Sequence, residues 1–224
     1  MSLNFGPKIA SRGLSFCVDA TNPKSWTSGS TVTNSVGTIT GTLNNSSVNS
    51  GYFDFNGTNG YLQFSHSDEI STTGLELTVS CWVRMNSVNT SRGLVCKRSS
   101  IAAGSYWLYI AGDNTLMWDT YEGSVQNRMT YGYSFVTGVW YNITGVYNAG
   151  IGGLKSLYVN GSNLANTTPS GPLTLDTSSL CIGSDSLLQY FTNGDIAMVK
   201  IYDKALTLSE VQEAYRSHKA RFGL

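Results

Sequence analysis

The sequence predicts an all-β antiparallel sandwich or barrel closed by one C-terminal helix. Three observations lead there. Apolar and polar residues alternate along most of the chain, the pattern of strands with one buried face. Gly, Asn, Asp and Ser separate most of these segments, as turns require. Only the last part of the chain, from Thr207 onward, carries a helical signature.

Residues 1–12 lack periodicity, contain Pro7 and read as an extended N-terminal arm. Strands are expected at 14–19, 52–55, 60–65, 75–85, 93–98, 105–110, 115–121, 129–136, 140–147, 155–159, 179–184 and 195–202. The segment 75–85 is the clearest: Leu77, Val79, Cys81, Val83 and Met85 share one face, and Thr78, Ser80, Trp82 and Arg84 the other. The Ser/Thr/Asn/Gly-rich stretch 21–51 reads as a long loop holding a short strand near 36–43. Asn160-Gly161 after Leu157-Tyr158-Val159 predicts a tight hairpin, because that turn needs positive φ at both central residues. The helix is expected over 208–220. Thr207 and Glu210 have capping-box spacing, Leu206 can staple onto Val211, and Val211, Tyr215, His218 and Phe222 share a face. Such a helix is expected to cover a sheet edge or the flank of the sandwich. No linker, charge block or repeat divides 13–206, so one domain is expected there, with 207–224 as its helix and tail.

The chain has 224 residues and balanced charge, 14 basic against 14 acidic side chains. Zero net charge provides no electrostatic footprint for nucleic acid. No apolar run approaches the ~20 residues that span a bilayer as a helix. Charged residues are only 12%, yet hydrophobic ones reach 41%, so the low charge does not signal disorder. The opening residues lack the basic start and apolar stretch of a secretory signal, so synthesis in a cytoplasm is expected. The Asn-x-Ser/Thr triplets, such as those at Asn45 and Asn142, then read as products of composition. Cys17, Cys81, Cys96 and Cys181 are widely spaced and lie in apolar segments. They read as buried free thiols, with disulfides the alternative in an oxidising setting.

Catalytic templates are missing: no Gly-x-Ser-x-Gly, no phosphate-binding loop and no His-Glu-x-x-His occurs. His66 beside Ser65 and Asp68 reads as a residue of a polar turn, and His218 as a helix-face residue. Glycoside hydrolysis needs two convergent carboxylates. Asp119 and Glu122 are three residues apart on one strand and so point to opposite faces. The aromatic residues point elsewhere. Trp82, Trp107, Tyr109 and Trp118 are candidates for stacking on sugars or for packing against another subunit. The alternative is that loops or the C-terminal helix cover these rings.

Phe55-Asn56-Gly57-Thr58-Asn59-Gly60-Tyr61-Leu62 resembles the Phe-Asp-Gly-x-Asn-Asp-Tyr segment of laminin-G-like, concanavalin-A-like jelly rolls. Leu77 to Val83, Trp140 to Thr144, Leu157 to Gly161 and Phe191 to Leu206 are similar to later strands of the same family, in the same order. The resemblance implies a jelly-roll sandwich. The opening Gly13 to Ser25 and the close Glu210 to Leu224 also resemble such domains in virion proteins of tailed bacteriophages, particularly marine ones.

From that resemblance a non-enzymatic virion protein is expected, a capsid decoration or a tail or fibre appendage. Its partners would be other virion proteins or copies of itself. A carbohydrate-binding adhesion module for host or mucus glycans is the alternative, and a polysaccharide hydrolase a further one. The family's usual cofactor is calcium, which takes several oxygen ligands. Here Gly60 and Ala197 stand where acidic residues are common in the family. Asn59 remains as a possible ligand, with Asp54, Asp195 or Asp19 as helpers. The competing reading makes Asn56 to Gly60 a plain tight turn.

Overall fold

A computed structural model describes residues 12–71, 74–100 and 102–224. The expected N-terminal arm, apart from Arg12, lies outside them. Two eight-stranded antiparallel sheets face each other. The front sheet runs β14 (Ser162–Thr167), β13 (Lys155–Val159), β12 (Trp140–Asn148), β7 (Glu76–Met85), β16 (Asn193–Tyr202), β5 (Tyr52–Asn56) and β4 (Ser47–Asn49), with β1 (Leu14–Asp19) also paired to β16. The back sheet runs β11 (Val125–Gly132), β10 (Thr115–Glu122), β9 (Gly104–Ile110), β8 (Arg92–Arg98), β15 (Leu180–Ile182), β6 (Tyr61–Phe64), β3 (Thr40–Asn44) and β2 (Thr31–Thr33).

The period-2 pattern decides which face meets the core. Leu77, Val79, Cys81, Val83 and Met85 of β7 all join the inter-sheet cluster, with Phe16, Phe53, Phe55, Phe64 and Trp118. Close sheet packing there depends on a missing side chain. A Cβ on Gly145 of β12 would lie 2.5 Å from Cδ2 of Trp118 on the facing sheet. The four cysteines are buried free thiols. Asn160 and Gly161 both adopt positive φ, 52° and 75°, and join β13 to β14 as expected.

The strand expected at 129–136 lies at 125–132 instead. Gly123 and Ser124, with φ of 57° and 69°, turn the chain at once after β10. The polar start of β11 is held by cross-strand bonds: Gln126 and Arg128 donate to Asp119, and Asn127 donates to Glu122. Polar residues therefore pair where the alternation is silent. The stretch 21–51 contains three short strands, β2, β3 and β4, rather than one.

Helix α1 (Leu208–Lys219) starts with the complete Thr207/Glu210 capping box. Leu206 and Val211 pack together with Val146, Tyr158 and Tyr202. A final turn, Ala220–Phe222, follows. The helix covers the outer face of the front sheet rather than a sheet edge. Arg221 fastens its far end, donating to both carboxylate oxygens of Asp19 and to the carbonyl of Gly51.

Candidate functional site

The outer face of the back sheet carries a polar and aromatic row. Cross-strand register places Cys181, Cys96, Trp107, Asp119 and Arg128 side by side on β15, β8, β9, β10 and β11. Trp107 stacks on Tyr109 at 4.2 Å between centroids, and the Arg98 guanidinium lies 3.7 Å from its ring centre. Asp119 accepts from Arg128 Nε and Nη2 and from Gln126 Nε2. That bidentate pair holds the Arg128 side chain, itself 44% exposed, across the sheet surface.

A loop, 184–191, lies against this row. Arg98 Nη2 meets Asp185 Oδ2 at 2.5 Å, with both side chains buried. Burial is the largest influence and opposes the Arg98 cation, but its hydrogen bonds to Asp185 and Tyr121 and the charges around it together outweigh burial and hold the guanidinium above its ordinary pKa. The other Asp185 oxygen accepts from the backbone N–H groups of Leu187 and Gln189. One buried carboxylate thus ties the loop both to the sheet and to itself. Leu188 and Tyr190 adopt left-handed φ of 56° and 52°, a conformation that costs a non-glycine residue about 1 kcal/mol or more. The outcome is outward display: Leu188 is 41% and Tyr190 40% exposed. The Tyr190 ring sits 5.9 Å from both Trp107 and Tyr109.

The four ring candidates therefore have different environments. Tyr109 is half-buried at the surface beside Tyr190. Trp107 is 3% exposed and backs Tyr109 from below. Trp118 must be corrected: it is fully buried between the sheets, where its Nε1 donates to the carbonyl of Val146, and no ring face is free for a sugar. Trp82 must be corrected too. It lies on the outer face of the front sheet, but Phe222 at 4.1 Å and Tyr215 at 5.7 Å stack on it and leave it 2% exposed. Tyr190 was missed because a single aromatic in an irregular Ser/Asp/Leu loop has no periodic partner to mark it.

The calcium candidates do not form an oxygen cage. Asp54 and Asp195 are cross-strand neighbours. However, Arg84 takes Asp195 at 2.7 Å, and Asn49 donates to Asp54. Asn59 Oδ1 accepts from Asn56 Nδ2, while Asn56 Oδ1 gathers the N–H groups of Thr58, Asn59 and Gly60. Asp19, the remaining helper, is held by Arg221. Amides and guanidinium groups occupy the lone pairs a cation would need, and the 57–60 segment is a turn organised by Asn56. These residues do not fit calcium. Among the described residues no cluster of three or more His, Cys, Asp or Glu side chains is placed to hold a metal.

The carboxylates of β10 are likewise engaged. Glu122 accepts from Thr120, Asn127 and both the N–H and Oγ of Ser170. Burial raises its pKa, but the hydrogen bonds from Ser170, Thr120 and Asn127 outweigh this and hold it below the ordinary value. It is thus kept ionised, the opposite of a proton donor to a glycosidic oxygen. His66 faces Lys97 Nζ and Ser71 Oγ, each at 3.2 Å, and has no triad geometry. No helix of the described residues is long and apolar enough to cross a membrane.

Comparison with known proteins agrees with this architecture. The family model of the concanavalin A-like lectin/glucanases superfamily, Laminin_G_3, matches residues 56–212. No curated protein matches the sequence. Among solved structures, the botulinum neurotoxin serotype G binding domain is similar with a TM-score of 0.70 and 13% identity over 91% of this chain and 50% of that one. The botulinum neurotoxin serotype D ligand binding domain, in complex with N-acetylneuraminic acid, has a TM-score of 0.69 and 14% identity over 91% of this chain and 50% of that one. The Trypanosoma rangeli sialidase, in complex with the inhibitor DANA, has a TM-score of 0.68 and 13% identity over 92% of this chain and 33% of that one. The chain spans about half the length of the toxin domains and a third of the sialidase. At these identities the likeness is one of fold.

Proposed function

The chain belongs to the concanavalin A-like lectin/glucanases superfamily, and from that premise we propose that it is a non-enzymatic carbohydrate-binding module. The ligand surface is the outer face of the back sheet under the 184–191 loop. Tyr109 and Tyr190 offer ring faces to a sugar, with Trp107 as their backing and Arg128 and Gln126 as flanking donors. The observation that carries this reading is the strained, ion-pair-anchored display of Tyr190 beside Tyr109. Rigid aromatic platforms with a few placed polar groups are what sugar recognition requires. The N-acetylneuraminic acid complex of the similar toxin domain adds support at the level of fold. Glu122 is held ionised and Asp119 is tied to Arg128 and Gln126, which weighs against the hydrolase reading.

The test is a glycan array probed with the whole chain, with and without calcium, followed by titration of any hit. Binding is expected without calcium and is weakened in Tyr109→Ala and in Tyr190→Ala. An array without hits overturns the reading.

A second reading, assembly on a phage particle, rests on the virion-like ends and on one structural observation. Val125, Tyr131, Val136 and Val139 are exposed along β11 and the segment after it, an apolar margin suited to contact with another chain. A chain that sediments as a monomer and does not label virions would exclude it.

A further inference from the structure

A small cavity lies between α1 and the outer face of the front sheet, on the opposite sheet from the surface above. Its volume is about 10 Å³, room for a single water-sized guest. Its polar lining comes from Ser80, Asn142, Thr144, Lys200, Tyr202 and His218, and no acidic side chain lines it.

The hydrogen-bond inventory of this lining is incomplete in one direction. Asn142 Nδ2 donates to Ser80 Oγ, Ser80 and Thr144 share a bond of 2.8 Å, and Thr144 reaches Asn142 Oδ1, so these three serve one another. Lys200 Nζ lies 3.4 Å from His218 Nε2. His218 Nδ1 lies 2.9 Å from the carbonyl of Ala214, which places the ring proton on Nδ1 and leaves Nε2 to accept. An ammonium has three protons to donate, and His218 takes one. The buried Tyr202 hydroxyl has no hydrogen-bond partner. The carboxylate that acts on Lys200 is Asp19, whose two oxygens already receive Arg221 and whose Oδ1 also receives Thr21. The cavity therefore holds a buried cation without a bonded counter-charge, beside a buried hydroxyl without a partner.

We propose that this cavity binds one monatomic anion of the chloride class, held by the free protons of Lys200 and by the Tyr202 hydroxyl. Buried charges need a partner. A water would serve the hydrogen bonds and leave the charge uncompensated, whereas an anion answers both. Space for a water-sized guest suits a monatomic ion better than sulfate, phosphate or a carboxylate. Burial alone pushes the Lys200 pKa down, and an anion would act against that push. Because α1 closes the cavity, the ion couples chloride concentration to the seating of the helix over Trp82.

The experiment is thermal unfolding of the whole chain in sodium chloride against sodium gluconate at matched ionic strength. It is paired with crystals grown in bromide and examined for anomalous scattering. Expected are a melting temperature that climbs with the logarithm of chloride concentration and a bromide peak between Lys200 Nζ and the Tyr202 hydroxyl. Tyr202→Phe keeps the ring and moves the chloride midpoint upward. Lys200→Gln abolishes the chloride effect. Should Lys200→Gln fail to fold, Tyr202→Phe and the bromide crystal still decide. Equal melting in the two salts, a chloride effect unchanged in Tyr202→Phe, or ordered water in place of bromide overturns the proposal. None of these readouts involves a glycan, so they stand apart from the carbohydrate reading.

Discussion

Arg98 and Asp185 form a buried ion pair that reaches from β8 to the loop bearing Tyr190. It couples the sheet to a loop with two left-handed non-glycine residues, Leu188 and Tyr190. Removing one partner leaves the other charged and buried. Arg98→Met is therefore expected to lower stability by about 3–5 kcal/mol. It should also release Tyr190 from its place beside Tyr109. Urea unfolding measures the first effect, and the temperature factors of 185–191 in a crystal of the variant measure the second.

The strain at Leu188 has the opposite sign. Its side chain is exposed and its φ is left-handed. Glycine adopts that φ freely, which offsets the greater freedom it adds to the unfolded chain. Leu188→Gly should leave stability unchanged or raise it by up to about 1 kcal/mol. A loss above that amount in calorimetry would show that Leu188 makes a contact worth more than its strain.

Tyr190→Ala removes one ring from the proposed platform. An aromatic contact of this kind is worth about 1 kcal/mol, which corresponds to roughly a fivefold weaker Kd for the bound glycan. Titration of an array hit against the variant checks it, with the chain's unfolding transition as control.

Gly145 tests the core. Because a Cβ there would meet the Trp118 ring at 2.5 Å, Gly145→Ala is expected to destabilise by about 1–3 kcal/mol through overpacking. Denaturant unfolding followed by tryptophan fluorescence reports it.

The seat of α1 responds to pH. Burial, then the Lys200 charge, holds His218 below its ordinary pKa of 6.5; Arg221 adds to this, while Asp19 and the Ala214 carbonyl oppose it. A histidine with a depressed folded pKa binds fewer protons when folded than when unfolded. Stability is therefore full above about pH 6.5 and declines as pH falls below it. In His218→Gln that decline should flatten. Melting temperatures measured between pH 5 and 8 decide.

Much of this was legible in the chain itself. The inward face of β7, the Asn160-Gly161 hairpin and the Thr207/Glu210 capping box are local patterns with periods of two or four residues. The physics that makes them is equally local. The edge strand β14 and the polar start of β11 were not legible, because their residues pair with partners on other strands rather than alternate in hydropathy. Strands β2 and β4, three residues each, are too short to show a period.

Alternation along the chain determined by itself that this protein is an antiparallel β sandwich or barrel and which side of β7 turns inward, and the Thr207/Glu210 spacing determined the capped terminal helix. It placed Trp82 on the polar face of its strand and left the face of Trp107 open. Only the tertiary structure decided their fates. Residues far along the chain, Tyr215 and Phe222, lay a helix over Trp82. Arg98 and Asp185 pin a loop over Trp107 that leaves Tyr109 half-open. What covers an outer face is settled by long-range packing and ion pairing, and a period of two residues carries no record of either.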